Sequence, residues 1–131
     1  MKTCVKRLLK YVQGKNMHFY KKYNKYRNKS KDCFSGHKHQ SIHEANYCNT
    51  LMFMLKGHQI KHYETQKSFD LHGITGKKLC IHKPDFYVIT NEGKKEVHEC
   101  KEKHTVTSIW RLKKKLFECD YPNIAYKVIW K

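Results

Sequence analysis

The chain has 131 residues, 39% hydrophobic and 13% aromatic, enough for one folded domain with a modest core and too apolar for a disordered basic tail. Its 28 Lys and Arg against 11 Asp and Glu give a formal net charge of +17, which opposes compaction and points to a polyanionic partner, nucleic acid before a membrane surface. No run combines the length and apolarity of a bilayer-spanning helix, and Met1 to Lys10 carries charges where a signal peptide needs an unbroken apolar run, so a cytosolic protein is expected.

Val5, Leu8, Leu9 and Val12 stand at helical spacing within residues 3–13. Residues 15–38 are basic and Tyr-rich, and residues 1–40 hold twelve Lys or Arg against one acid, Asp32. Residues 1–38 therefore read as a basic arm ahead of a core at 39–131. In that arm Lys21, Lys22, Lys25, Arg27 and Lys29 would track a phosphate backbone while Tyr20, Tyr23 and Tyr26 stack on bases or sugars. A solvated charge run, with the tyrosines packed on the core, is the duller alternative.

Ser41 to Lys56 predicts a helix, with Ser41 and Glu44 in capping-box spacing and Gly57 as its stop. A strand is expected over 59–71 and a loop over 73–78. Two further strands at about 79–90 and 94–102 flank Thr90-Asn91-Glu92-Gly93, the signature of a β-hairpin turn. Thr107 or Ser108 then caps a helix whose apolar stripe is Ile109, Leu112 and Leu116, with Lys113, Lys114 and Lys115 mostly off it. Tyr121-Pro122-Asn123 ends that helix, and residues 124–130 form a last strand. The core order is αβββαβ, an α/β fold.

Pairing residue 90 with 94 across the turn sets Asp85 opposite Glu99, and Glu99 shares a sheet face with Lys101. Three charges thus converge on a patch that otherwise reads as core. Their burial is costly unless something holds the carboxylates together, and a divalent cation would do so. The alternative is a solvated cross-strand charge cluster, which is common in hairpins. Cys100, between them in sequence, should face the opposite side and be core.

The six cysteines form no CxxC pair and read as free, mostly buried thiols. Cys33, His37, His39, His43 and Cys48 fall within sixteen residues and are zinc-ligand types. Their spacing, Cys-x3-His-x-His-x3-His-x4-Cys, matches no familiar finger, and ten histidines in a short chain also cluster by chance.

The order of elements, with Pro84-Asp85 on one strand and Glu99-x-Lys101 on the next, resembles the PD-(D/E)xK phosphodiesterase superfamily. The nearer resemblance is to small phage and prophage proteins of unknown function, related there to Holliday junction resolvases. It rests on Lys25-Tyr26 with Asn28-Lys29, Ser41-x-x-Glu44-Ala45, Gln66, and Leu112-Lys113-x-Lys115-Leu116-Phe117-Glu118 running into Tyr121-Pro122. It covers about residues 25–130. Two positions depart from the pattern: Glu102 replaces a glycine after the motif lysine, and Arg27 replaces one in Lys-Tyr-Gly-Asn.

The resemblance implies a restriction-endonuclease-like core with a mixed sheet and a metal-dependent endonuclease of branched DNA, working as a homodimer in the host cytosol. It assigns Asp85 and Glu99 as ligands for Mg²⁺, with Mn²⁺ substituting, and Lys101 to orient or deprotonate water. Glu44 is a further ligand or a helix cap, and Gln66 a site contact or a plain sheet residue. Lys113 and Lys114 extend the DNA-binding face. A non-catalytic nucleic-acid-binding protein on the same fold is the alternative.

Overall fold

The computed structural model describes residues 28–131; the expected first helix and residues 1–27 of the basic arm lie outside the described residues. The last part of the basic stretch begins the folded body. Strands β1 (Lys31–Asp32) and β2 (Lys38–His39) form a small antiparallel hairpin with Cys33 and His39 buried.

Helix α1 (Ile42–Lys56) starts where expected. The Ser41 hydroxyl accepts the Glu44 N–H at 3.1 Å, and the Glu44 carboxylate answers by accepting from Ser41 Oγ at 2.9 Å and from the Gln40 N–H at 3.2 Å. Gly57 closes the helix by donating to the Phe53 carbonyl at 2.8 Å. Its inward face carries Ala45, Cys48 and Leu51.

The main sheet has four strands in the order β3 (Ile60–Thr65), β6 (Phe86–Thr90), β7 (Lys95–Lys101) and β8 (Ile124–Trp130). Neighbours β3–β6 and β6–β7 are antiparallel, whereas β7 and β8 run parallel, as a connection through a helix allows. The sheet is therefore mixed. The β6–β7 register is the one read from the turn: Phe86 faces His98, Tyr87 faces Val97 and Ile89 faces Lys95. Thr90 donates to Lys94 O and Gly93 to Thr90 O, both at 2.9 Å, and Gly93 takes a φ of 79° that L-residues rarely adopt.

Two expected strands are broken. The segment 59–71 stops after Thr65, because Gln66 adopts a left-handed φ of 51°, and resumes as β4 (Phe69–His72). The segment 79–90 divides into β5 (Lys78–His82) and β6 around Pro84, which has no N–H for a ladder. Strands β4 and β5 pair only with each other, so the expected 73–78 loop is the tip of a separate hairpin. That hairpin is held to helix α2 (Ser108–Asp120) and the residue after it. Asp120 Oδ2 accepts the His72 N–H at 2.6 Å, and the Tyr121 hydroxyl donates to Asp70 O at 2.9 Å.

Helix α2 begins at Thr107, whose hydroxyl accepts the Trp110 N–H at 3.1 Å. Its buried face differs from the expected stripe. Phe117 is fully buried, with Leu116 and Tyr121 packed around the same cluster, whereas Ile109 is 70% and Leu112 59% exposed. The sheet is thus covered on two sides. On one side Cys33, Cys48, Leu51, Ile60, Phe86, Val88 and Cys100 pack together, and on the other Phe69, Leu71, Tyr87, Val97 and Phe117 do. Cys100 is core, as expected. Among the described residues no helix is long and apolar enough to cross a membrane.

Candidate active site

At the end of β7 that faces the start of β6, a cleft of about 400 Å³ is lined by Gln40, Ser41, Glu44, Gln66, Asp85, Glu99 and Lys101, with Asn28, His43, Lys83 and Glu102 at its walls. The sequence-derived site residues Glu44, Gln66, Asp85, Glu99 and Lys101 all meet there. They arrive from four parts of the fold: Glu44 from the first turn of α1, Gln66 from the break after β3, Asp85 from the break before β6, and Glu99 and Lys101 from β7.

Asp85 is held from both sides. Its Oδ2 accepts the Cys100 N–H at 2.8 Å, and its carbonyl accepts the Gln66 N–H at 2.9 Å. Burial, then the negative charges of Glu99 and Glu44, push its carboxyl up to about 8. In the metal-free chain Asp85 therefore holds a proton near neutrality. Glu99 is buried; its Oε1 pairs with Lys101 Nζ at 2.9 Å, while its Oε2 is buried without a hydrogen-bond partner. An orphaned carboxylate oxygen in a polar cleft is costly, and it is the donor a hard cation would take.

Lys101 also stands 5.4 Å from the centre of the Trp110 ring, so its ammonium is positioned by an ion pair and an aromatic face together. On the sheet face that carries Val97 and Glu99, His82 Nε2 and the Tyr126 hydroxyl pair at 3.0 Å. Burial, Lys113 and Lys101 pull His82 down to about 4, so it is neutral at ordinary pH. Burial and Glu99 push the Tyr126 hydroxyl above its ordinary range.

Glu44 plays its capping role with both oxygens while lining the cleft. Gln66 touches Asp85 through its backbone, and its left-handed φ places it beside that residue rather than on a strand. Glu102 is drawn away by Lys131 Nζ at 2.8 Å and His104 Nε2 at 3.5 Å, and Lys131 holds its carboxyl below the usual carboxylate range. Of the expected nucleic-acid contacts, Lys21, Lys22, Tyr23, Lys25, Tyr26 and Arg27 lie outside the described residues, while exposed Lys29 lines a shallow depression with Ser41, Glu102 and Lys131 next to the cleft. Lys113 donates to Ile81 O at 3.0 Å, and Lys114 pairs with Glu118 at 3.0 Å, so both are partly spent on the fold.

Sequence reasoning missed Lys83, which stands exposed in the lining, and gave Asn28, also in the lining, no place at the site. It also missed a buried relay on the other face of β7, where His98 Nε2 donates to Glu96 at 2.9 Å and Tyr47 donates to His98 Nδ1 at 2.8 Å. Alternation of Glu96, His98 and Cys100 was its signal.

The fold and the cleft together define an α/β protein with a mixed four-stranded sheet and a half-buried aspartate and buried glutamate beside a lysine. The chain belongs to the family described as "Protein of unknown function (DUF1064)", which matches residues 21–131. No curated protein and no solved structure matches it significantly.

Proposed function

We propose that the protein is a metal-dependent DNA endonuclease of the PD-(D/E)xK type, hydrolysing phosphodiester bonds in branched DNA of a phage or mobile element. The observation that carries this reading is the meeting of Asp85, Glu99 and Lys101 in one polar cleft, with one Glu99 oxygen paired to Lys101 at 2.9 Å and the other unpartnered. Asp85 and Glu99 would hold Mg²⁺, or Mn²⁺ in its place, which supplies charge relief on the phosphoryl group and an acidified water.

The chain's own groups do the rest. The Cys100 N–H and the Gln66 N–H fix the Asp85 carboxylate and backbone, so the acid needs no reorientation when it ionises. Lys101 Nζ, held 2.9 Å from Glu99 Oε1 and 5.4 Å from the centre of the Trp110 ring, would orient the attacking water and stabilise negative charge as it grows. Exposed Lys83 and Lys29, with the lysines and tyrosines of the arm, would take the flanking phosphates. Among the described residues no second domain accompanies the core, which favours recognition of DNA shape and backbone. Paired cuts in a junction require two sites and hence a homodimer, for which exposed Ile109 beside the groove containing Ile81 and Glu99 offers an apolar contact.

The test presents junction, flap, single-stranded and linear duplex DNA with Mg²⁺ or Mn²⁺ to the wild type and to Asp85→Asn. Metal-dependent cleavage of junctions, lost in Asp85→Asn with DNA binding kept, is expected. Tight DNA binding with no cleavage under any metal would instead establish a non-catalytic binder.

A further inference from the structure

The hairpin β1–β2 folds Cys33, His37 and His39 back onto the face of α1 that carries Cys48. One potential ligand atom from each of these four side chains lies within 4.8 Å of all the others. Cys48 Sγ is 3.3 Å from Cys33 Sγ and 3.7 Å from His37 Nδ1. Around a tetrahedral zinc, with bonds of about 2.3 Å to sulfur and about 2.0 Å to nitrogen, an S···S edge is roughly 3.8 Å and an S···N edge roughly 3.5 Å, so both spacings fall within about half an ångström of such edges.

A second observation points the same way. His39 is 5% exposed, and its Nε2 is buried with no hydrogen-bond partner. A buried imidazole nitrogen left unpaired costs free energy that ligation would recover. The backbone is arranged for the purpose: the Cys33 N–H donates to His37 O at 3.0 Å, the Gly36 N–H to Cys33 O at 2.9 Å, and Gly36 supplies a φ of 82°. Asn49 Oδ1 accepts the Phe34 N–H at 2.8 Å and fastens the turn to the helix.

We propose that Cys33, His37, His39 and Cys48 bind one structural zinc ion. Two thiolates and two imidazoles are a soft and borderline donor set that suits zinc and not magnesium, so this site is separate from the carboxylate cleft. His43 takes no part: its Nε2 donates to Ile129 O at 3.0 Å. With four protein ligands the shell is closed, which makes the ion a clasp and not a catalyst. It joins the end of the basic segment to α1 one turn beyond Glu44, and so fixes Asn28 and Gln40 at the mouth of the cleft.

The experiment uses the full chain expressed with zinc, desalted into metal-free buffer under reducing conditions, and read by elemental analysis and by cobalt substitution. One zinc per chain and a cobalt spectrum with thiolate-to-metal charge transfer are expected. His37→Ala, which removes an exposed side chain, and Cys33→Ser should each weaken zinc binding more than tenfold, while His43→Ala leaves it unchanged. A chelator should lower the melting temperature of the wild type but not of His37→Ala. Absence of stoichiometric metal, a cobalt spectrum without thiolate bands, a Cys33–Cys48 disulfide in the reduced preparation, or full zinc affinity in His37→Ala would each overturn the proposal. None of these readouts involves DNA, so the clasp and the nuclease reading stand or fall separately.

Discussion

Replacing Asp85 by Asn should stabilise the metal-free protein at alkaline pH while removing any function that needs the carboxylate. Asn matches Asp in shape, and its side-chain oxygen can still accept the Cys100 N–H that Asp85 Oδ2 accepts at 2.8 Å. In the wild type, burial and the charges of Glu99 and Glu44 raise the Asp85 carboxyl from 3.8 to about 8. The folded state therefore binds a proton that the unfolded chain releases between those values, and stability falls as pH rises through that window. At about 1.4 kcal/mol per pKa unit the full cost, reached above the folded value, is on the order of a few kcal/mol. Urea unfolding in EDTA at about pH 4 and pH 9 measures it. The difference between the two proteins cancels His82 and His98, which burial holds below the ordinary histidine range in both. Little difference is expected at the acid end and a more stable Asn variant at the alkaline end, with added Mg²⁺ raising only the wild type. Equal stabilities at about pH 9 would refute the charge crowding from which the cation site is argued.

Lys101→Met leaves Glu99 without the ammonium now 2.9 Å away and should cost about 3–5 kcal/mol in metal-free urea melts; adding Glu99→Gln should recover most of it. Tyr47→Phe removes the hydroxyl donating to His98 Nδ1 at 2.8 Å, and the unsatisfied buried nitrogen should lower stability by about 1–3 kcal/mol in the same assay. Gln66→Gly relieves a φ of 51° and should raise stability by up to about 1 kcal/mol, whereas Gln66→Val should lower it by at least that much. If cleavage survives Gln66→Gly, the residue serves the site through its backbone alone.

The register that brings Asp85 across from Glu99 could be read from the chain because a four-residue turn with Gly93 at its αL position fixes a hairpin, and a period of two then fixes every side chain. The αβ order of the core was legible for the same reason: caps at Ser41 and Thr107 and a stop at Gly57 are local chemistry. The left-handed turn at Gln66 was not, since a glutamine carries no sequence sign of positive φ and is held there by the Asp85 carbonyl, a partner distant in sequence. Helix α2 shows a different limit. Ile109–Leu112–Leu116 and Trp110–Phe117 both satisfy helical spacing, and tertiary partners decide which face is covered: Phe69 of the β4–β5 hairpin lies 5.0 Å and Tyr126 of β8 5.5 Å from the Phe117 ring. The Cys/His cluster stayed ambiguous because its ligands come from a hairpin and a helix. Their linear spacing reflects that fold and not a finger, and His43, inside the spacing, points to β8 instead.

Asp85 is bonded through its side chain to β7 and through its carbonyl to the residue after β3, at the point where Pro84 interrupts the chain between two sheets. Chemistry and architecture are therefore welded at one residue. Variants there divide into two kinds: isosteres that silence the carboxylate and keep the side-chain bond to β7, and truncations that lose that bond as well, while the backbone bond to the residue after β3 remains in both. A dead Ala variant cannot tell these apart, so inactivity at this position speaks about mechanism only when the replacement still accepts the Cys100 N–H.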